Sequence, residues 1–272
     1  MVNISVIIPN FNGVKFLPDF FESLALAIKN CPHSRFEIIL VDNRSTDNSL
    51  EILNAYFPKN KIILNPQNYG FARAVNQGIK AAKYDFVCIL NNDLKLNSNW
   101  FTLIISNIKP NIACYCGTVM NSSGTLIESQ GISFNINGSC IQNNHNQIYL
   151  PHLSLHPVWG SSAAAVIYQK SIIQKIGLFD ESFFLYIEDV DLAFRLNKKN
   201  FLTQCVPQAL VYHIGGATSN KLGYLRQYYT FRNWFLLITK NYSTKQLIFN
   251  FPQILLERLK NLSYLLKSLI KW

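Results

Sequence analysis

Four stretches of this 272-residue chain place chemically capable side chains at the end of an apolar run. Asp42 and Asn43 follow Ile38-Ile39-Leu40-Val41, and Asn91, Asn92 and Asp93 follow Phe86 to Leu90. Glu188, Asp189 and Asp191 follow Phe183-Phe184-Leu185-Tyr186, and His213 closes Leu210-Val211-Tyr212 ahead of Ile214-Gly215-Gly216. A carboxylate such as Asp42 accepts hydrogen bonds from a pyrimidine N3–H or a ribose hydroxyl. Oxygen ligands from Asn92 and Asp93, joined by the imidazole of His213, suit a hard divalent cation, Mn2+ or Mg2+, that in turn takes diphosphate oxygens. Carboxylates crowded together and partly desolvated by aromatics have raised pKa values, as a general base needs. Plainer roles exist for each group: turn or cap residues at Asp42, Asp47 and Asn48, favourable charges at a helix start for the three acids, and a structural hydrogen bond for His213. Distant segments acting on one site give the set its meaning.

The elements that must position these groups are legible. Val6-Ile7-Ile8, Ile38 to Val41, Ile62-Ile63-Leu64 and Phe86 to Leu90 are short continuous apolar runs, the pattern of strands covered on both faces. Between them, Leu17, Phe20, Phe21, Leu24 and Ile28 recur at helical spacing, as do Leu50, Leu53 and Phe57, and Ala72, Val75, Ile79 and Ala82. Alternating strands and helices imply an open, mostly parallel α/β sheet, whose carboxyl rim is where such folds bind nucleotides. Past Asn97 we expect a helix capped by Ser98 and running to Ile108, a strand over 112–120, a loop-rich stretch over 121–147, and a strand from Ala163 to Ile167. A helix from Ser171 to Ile176 follows, then another from Asp189 to Lys199, and strands at 201–206 and 209–212. From residue 222 aromatic and leucine positions dominate, and Pro252 is expected to divide that region into two helices.

The chain is 49% hydrophobic and carries a formal charge of +10. Residues 1–220 hold 16 basic and 14 acidic side chains, whereas 221–272 hold 9 basic ones and only Glu257 as acid. This suggests a body over 1–220 and a basic amphipathic helical extension over 221–272. In that extension Arg258, Lys260, Lys267 and Lys271 lie beside leucines and Trp272 ends the chain, so an anionic membrane surface is expected as its partner and nucleic acid is not. Packing of those leucines on the core or in a dimer is the other reading. The six cysteines include no C-x-x-C and several fall in apolar runs, consistent with reduced thiols and a cytoplasmic location. The start of the chain reads as a strand rather than a signal peptide, and no apolar run has the length of a membrane span.

Transfer of a sugar from a nucleoside diphosphate needs a cation for the departing diphosphate and a base for the attacking hydroxyl. Asp93 with His213 would supply the first and Asp189 the second, and a single carboxylate acting from the opposite face implies inversion. The segments VIIPNFNG (6–13), VDNRSTDNS (41–49), NYGFARAVNQGI (68–79), LNNDLKLN (90–97), WGSSAAAV (159–166), GLFDESFFLYIEDVDLAFR (177–195) and His213 together resemble family 2 glycosyltransferases of the GT-A fold, most closely the bacterial rhamnosyltransferase-type branch. The resemblance covers about residues 3–220. It implies that Pro9, Asn12 and Asp42 line the nucleoside pocket, that Arg73 and Asn76 help hold the donor, and that Asn92 and Asp93 match the D-x-D segment, with Asn91 replacing its first acid. It further implies His213 as the distal metal ligand, Asp189 as the base, and Trp159, Gly160 and Glu188 on the acceptor side. The expected activity is metal-dependent, inverting transfer from a dTDP- or UDP-sugar to a surface glycan, lipid-linked, at the inner face of the plasma membrane. Two alternatives stand beside it. A nucleotidyltransferase would need a basic glycine-rich loop after the first strand, where Asn10-Phe11-Asn12-Gly13 stands. A non-catalytic membrane- or nucleic-acid-binding module would act through the cationic tail.

Overall fold

The computed structural model describes residues 1–151, 154–215 and 223–270. The first half of the chain follows its apolar periodicity closely: β1 (Ile4–Asn10), α1 (Leu17–Lys29), β2 (Phe36–Asp42), α2 (Ser49–Tyr56), β3 (Lys61–Leu64), α3 (Phe71–Ala81) and β4 (Phe86–Leu90). Along β1 the side chains alternate between faces. Ile4, Val6 and Ile8 pack with α1 and with α4 (Trp100–Ile105), whereas Ile7 packs against Ala74, Val75 and Ile79 of α3. Expecting a helix capped by Ser98 misplaces its ends, since α4 starts at Trp100 behind Asn99, whose N–H donates to Asn97 Oδ1 at 3.1 Å.

Ten strands form one mixed sheet in the order β10-β12-β6-β11-β4-β1-β2-β3, with β5 (Leu94–Leu96) added on β12 and β7 (Ile127–Ser129) on β6. Here β6 is Ile112–Met120, β10 His156–Val158, β11 Ala165–Gln169 and β12 Leu202–His213. Because β11 lies antiparallel to both β4 and β6, and β12 parallel to β6, six strands run one way and four the other. The parallel majority expected from the sequence is therefore present, with the reversed strands all entering after residue 93. The two strands expected at 201–206 and 209–212 are one, β12, with an irregularity between Cys205 and Leu210 where Pro207 sits. Strand order reverses at β1, which pairs β2 on one side and β4 on the other, and ligands of doubly wound sheets bind at such a point.

The stretch expected as loop contains, besides β7, a hairpin of β8 (Ile132–Asn135) and β9 (Ser139–Gln142). Helices α5 (Lys170–Lys175) and α6 (Glu188–Lys198) precede β12, and α7 (Tyr224–Asn241) and α8 (Thr244–Ile270) follow it. Pro252 does not divide the tail: it lies inside α8 and is exposed, as is Ile248 four residues earlier, so the hydrogen bond a proline omits is missing on a solvent-facing side of the helix. The break falls at Tyr242. There Ser243 and Gln246 form a reciprocal cap, with Ser243 N–H donating to Gln246 Oε1 at 2.9 Å and Gln246 N–H to Ser243 Oγ at 3.3 Å.

Helix α7 belongs to the body of the molecule. Trp234 and Leu237 pack with Phe183, Val190 and Ala193, and Asn241 Nδ2 donates to Asp191 Oδ1 at 2.8 Å. Arg258 on α8 is buried, not part of a charged outer face: it donates to the Gly138 carbonyl at 2.7 Å and lies over the Trp234 ring at 4.9 Å. The boundary drawn at 220/221, together with Lys271 and Trp272, lies outside the described residues. No helix among the described residues is long and apolar enough to cross a membrane. All six cysteines are free thiols.

Candidate active site

At the carboxyl ends of β1, β2 and β4 three short polar side chains interlock. The register pairs Asn10 with Asp42, and Asn10 Nδ2 donates to Asp42 Oδ1 at 2.9 Å and to Ser45 Oγ at 3.0 Å. Asn10 Oδ1 accepts from Asn92 Nδ2 at 2.6 Å. Asp42 Oδ2 accepts the Ser45 N–H at 2.8 Å. One buried amide thus ties two strand ends across β1. Gly13 is needed for this, since a Cβ there would stand 2.2 Å from Asn92 Nδ2. Asn10 was missed in the sequence because an asparagine beside Asn12-Gly13 looks like a turn former.

Around this knot, Asn12 is exposed with φ 52° and accepts the Thr46 N–H at 2.8 Å. Pro9 is half-buried opposite Val41. Arg73 is exposed on α3, stacked 3.8 Å over the Tyr69 ring and 4.0 Å from Glu181. Asn76 is buried and its amide clasps the Phe179 backbone, donating to the carbonyl at 2.8 Å and accepting the N–H at 3.1 Å. Asn76, expected to help hold the donor, thus anchors the segment at Phe179.

His213, the last residue of β12, lies opposite Leu94 of β5, so its imidazole meets the carboxylate of Asp93. Nε2 is 3.2 Å from Asp93 Oδ2 and Nδ1 is 2.8 Å from Glu128 Oε2. The hydrogen bonds to Asp93 and then Glu128 push its pKa up to about 10 against the opposing effect of burial. The chain after His213 turns on Asp93, whose carbonyl accepts the Ile214 N–H at 3.0 Å. A Cβ on Gly215 would stand 2.2 Å from Asp93 Oδ2.

Among the described residues no three His, Cys, Asp or Glu side chains converge as a metal cage. The Asp93 and His213 pair nonetheless fits a divalent cation. Two adjacent ligands of an octahedral ion with bonds of about 2.1 Å stand ~3 Å apart, close to the 3.2 Å between Oδ2 and Nε2.

Asp189 sits in the first turn of α6, partly buried, with Oδ1 accepting the Val190 N–H at 2.8 Å and Oδ2 the Ala163 N–H at 3.2 Å. Burial raises its pKa and the two amides oppose the rise. Glu188 is buried, with Oε2 lacking a hydrogen-bond partner, and burial followed by repulsion from Asp189 holds its carboxyl well above the usual range. Its carboxyl group therefore lies beneath the rim. The two residues ahead of α6 are in the left-handed region, Tyr186 at φ 70° and Ile187 at φ 71°, a costly conformation for a β-branched side chain. Asn233 of α7 supports them by donating to the Leu185 and Tyr186 carbonyls at 2.9 and 2.8 Å. Asp191 points away, pairing with Arg195 Nε at 2.8 Å, which makes it a structural acid.

One connection joins Asp189 to the rim. Ala163 N–H reaches Asp189, while the next residue, Ala164, accepts the Asn91 N–H at 2.8 Å. Asp189 is thus linked, through adjacent residues of one segment, to the start of the Asn91-to-Asp93 turn. Trp159 and Gly160 lie behind this edge. The Trp159 ring stacks on Phe134 at 4.8 Å, and Gly160 exchanges backbone hydrogen bonds with Ile132. Trp159 is accordingly a packing residue between the hairpin and α6.

Residues 5–177 match glycosyl transferase family 2. The chain belongs to that family. It is 25% identical over 213 residues to the poly-beta-1,6-N-acetyl-D-glucosamine synthase of Staphylococcus aureus (strain COL), a match covering 76% of this chain and 48% of that protein. It is 24% identical over 240 residues to the chondroitin synthase of Pasteurella multocida (strain Pm70), covering 78% and 25% respectively. The chain spans about half the length of the first of these relatives and a quarter of the second. Among solved structures it superposes on GalNAc-T7 with UDP, GalNAc and Mn2+ at a TM-score of 0.62 with 16% identity, over 78% of this chain and 44% of that one. It superposes on S. aureus TarS 1-349 in complex with UDP at 0.55 with 18% identity, over 84% and 65%. These likenesses establish the GT-A-type fold.

Proposed function

We propose that this chain transfers a sugar from a uridine or thymidine diphosphate donor to a hydroxyl of a bacterial surface glycan, with inversion at the anomeric carbon. The observation that carries the reading is the two-residue link at Ala163 and Ala164, which ties the partly buried, pKa-raised carboxylate of Asp189 to the strand end that leads into Asp93. Asp42 with Asn10 and Asn12 receives the nucleoside, and Arg73 lies on the same rim. Asp93 and His213 hold a divalent cation, which when bound supplies positive charge for the departing diphosphate. Asp189 accepts the proton of the acceptor hydroxyl as its oxygen attacks from the face opposite the diphosphate. The UDP in two superposable structures and the N-acetyl-D-glucosamine polymer in one relative's name support a UDP-sugar donor. Rhamnosyl transfer from dTDP-rhamnose is the second donor to test.

The acceptor is proposed to be lipid-linked, with α8 resting on the anionic inner leaflet. Ile248, Leu255, Leu259, Leu266 and Ile270 form an exposed stripe along α8, bordered by Lys245, Lys260 and Lys267, which complements anionic headgroups.

Asp189→Asn tests the chemistry. Its turnover is expected to fall by at least about 1000-fold, because a general base and its positioning are lost together, while UDP binding by titration calorimetry stays near the original. Full turnover in this variant would remove Asp189 from the mechanism. Leu255→Asp with Leu259→Asp tests the surface. Cosedimentation with vesicles containing phosphatidylglycerol should drop about ten-fold, and unchanged cosedimentation would reject a lipid partner for α8.

A further inference from the structure

We infer that Glu128 is a positioning residue that sets the tautomer of His213 so that Nε2 is presented as a metal ligand; the inference rests on the divalent-cation reading given above. Glu128 lies on β7, a strand of three residues pinned on both sides. Val119 and Met120 of β6 pair with Ser129 and Ile127, and Ile127 exchanges backbone hydrogen bonds with Gln147 and Asn146 at 2.9 and 2.8 Å. The carboxylate thus arrives from a fixed backbone, 85 residues away in sequence, at 2.8 Å from Nδ1. On the opposite side of the ring Asp93 Oδ2 stands 3.2 Å from Nε2.

With Nδ1–H given to Glu128, it is the Nε2 proton that a metal ion displaces, leaving the Nε2 lone pair facing the Asp93 carboxylate. Two lone pairs facing each other at this distance need a cation between them, either a proton or a metal ion. If Glu128 were absent, the ring could take the other tautomer, donate Nε2–H to Asp93 and close the metal position. Metal-bound histidines commonly give their second ring N–H to a carboxylate for this reason. An ordinary ion pair predicts something different, since exposed pairs contribute little and losing one would leave Mn2+ binding unchanged.

The test uses the full chain and Mn2+ itself, titrated in the presence of UDP and followed by the electron paramagnetic resonance signal of free Mn2+. Glu128→Ala and the longer Glu128→Met are expected to weaken Mn2+ binding by about 10- to 100-fold. Glu128→Gln, whose amide oxygen still accepts from Nδ1–H, should recover most of the affinity. UDP affinity measured without metal should be equal in all of them. Mn2+ binding within two-fold of the original in Glu128→Met, or Glu128→Gln as weak as Glu128→Met, would overturn the positioning role. His213→Ala separates the two readings. If it loses Mn2+ while Glu128→Met does not, only the role of Glu128 falls; if it too keeps Mn2+, the metal assignment falls with it.

Discussion

The two sides of the rim are built by opposite means. On the donor side, Asn10, Asp42, Ser45 and Asn92 satisfy one another at the ends of three adjacent strands, so the site is preformed by the sheet itself. On the base side, Asp189 follows two left-handed residues and a buried carboxyl oxygen without a partner, and the segment is supported by a helix some 40 residues further along. The first group is thus held by the strand ends of the sheet, whereas the segment carrying Asp189 is held by a helix added outside the sheet. Strain of this kind persists only where the surroundings over-determine it.

The sharpest way to break this contrast is Asp42→Ala. It removes the acceptor of the Asn10 amide and of the Ser45 N–H, and each buried donor left unmatched costs about 1–3 kcal/mol. We expect UDP affinity to fall by roughly 100-fold and the melting temperature to drop by several degrees. A variant with unchanged UDP affinity in calorimetry would mean the donor side is not organised by this knot. Next comes Asn233→Ala, which frees the Leu185 and Tyr186 carbonyls without touching the rim. Turnover should fall about ten-fold through misplacement of Asp189, with the donor KM unaltered; a donor KM that rises in step would show the two sides to be coupled.

The smallest effect is expected from Glu188→Gln. The folded-state pKa of Glu188 is raised by burial and by Asp189, so its favourable contribution is complete below the unfolded value of about 4.3 and is lost as pH rises through the folded one. At pH 8 the glutamine variant should therefore melt a few degrees higher than the original, and the difference should vanish near pH 4. Equal melting temperatures across that range would place the Glu188 carboxyl in water.

The first half was readable because β1, β2 and β4 are largely buried and the helices between them bury apolar residues at helical spacing, so composition and periodicity agree there. The edge strand β3 carries an apolar run though Leu64 is exposed. Asp93, Asp189 and His213 were visible as polar groups at the ends of apolar runs. What escaped had weak local signals. The β8–β9 hairpin is made of Asn, Ser and Gly, which suit turns as well as short strands. Glu128 lies in a strand of three residues, too brief for any alternation to register. Arg258 looked like one more cation on a solvated helix face, and only the fold shows it covered by Trp234 and Gly138. The contacts of Asn76 with Phe179 and of Trp159 with Phe134 join residues far apart in the chain, which no local pattern announces.

The closeness of Gly215 to the Asp93 carboxylate sets a boundary for engineering. Any foreign segment grafted onto the end of β12 to alter specificity must leave positions 213 to 215 untouched, because a single methyl group at the last of them would collide with the carboxylate on which the donor end of the reaction is proposed to depend.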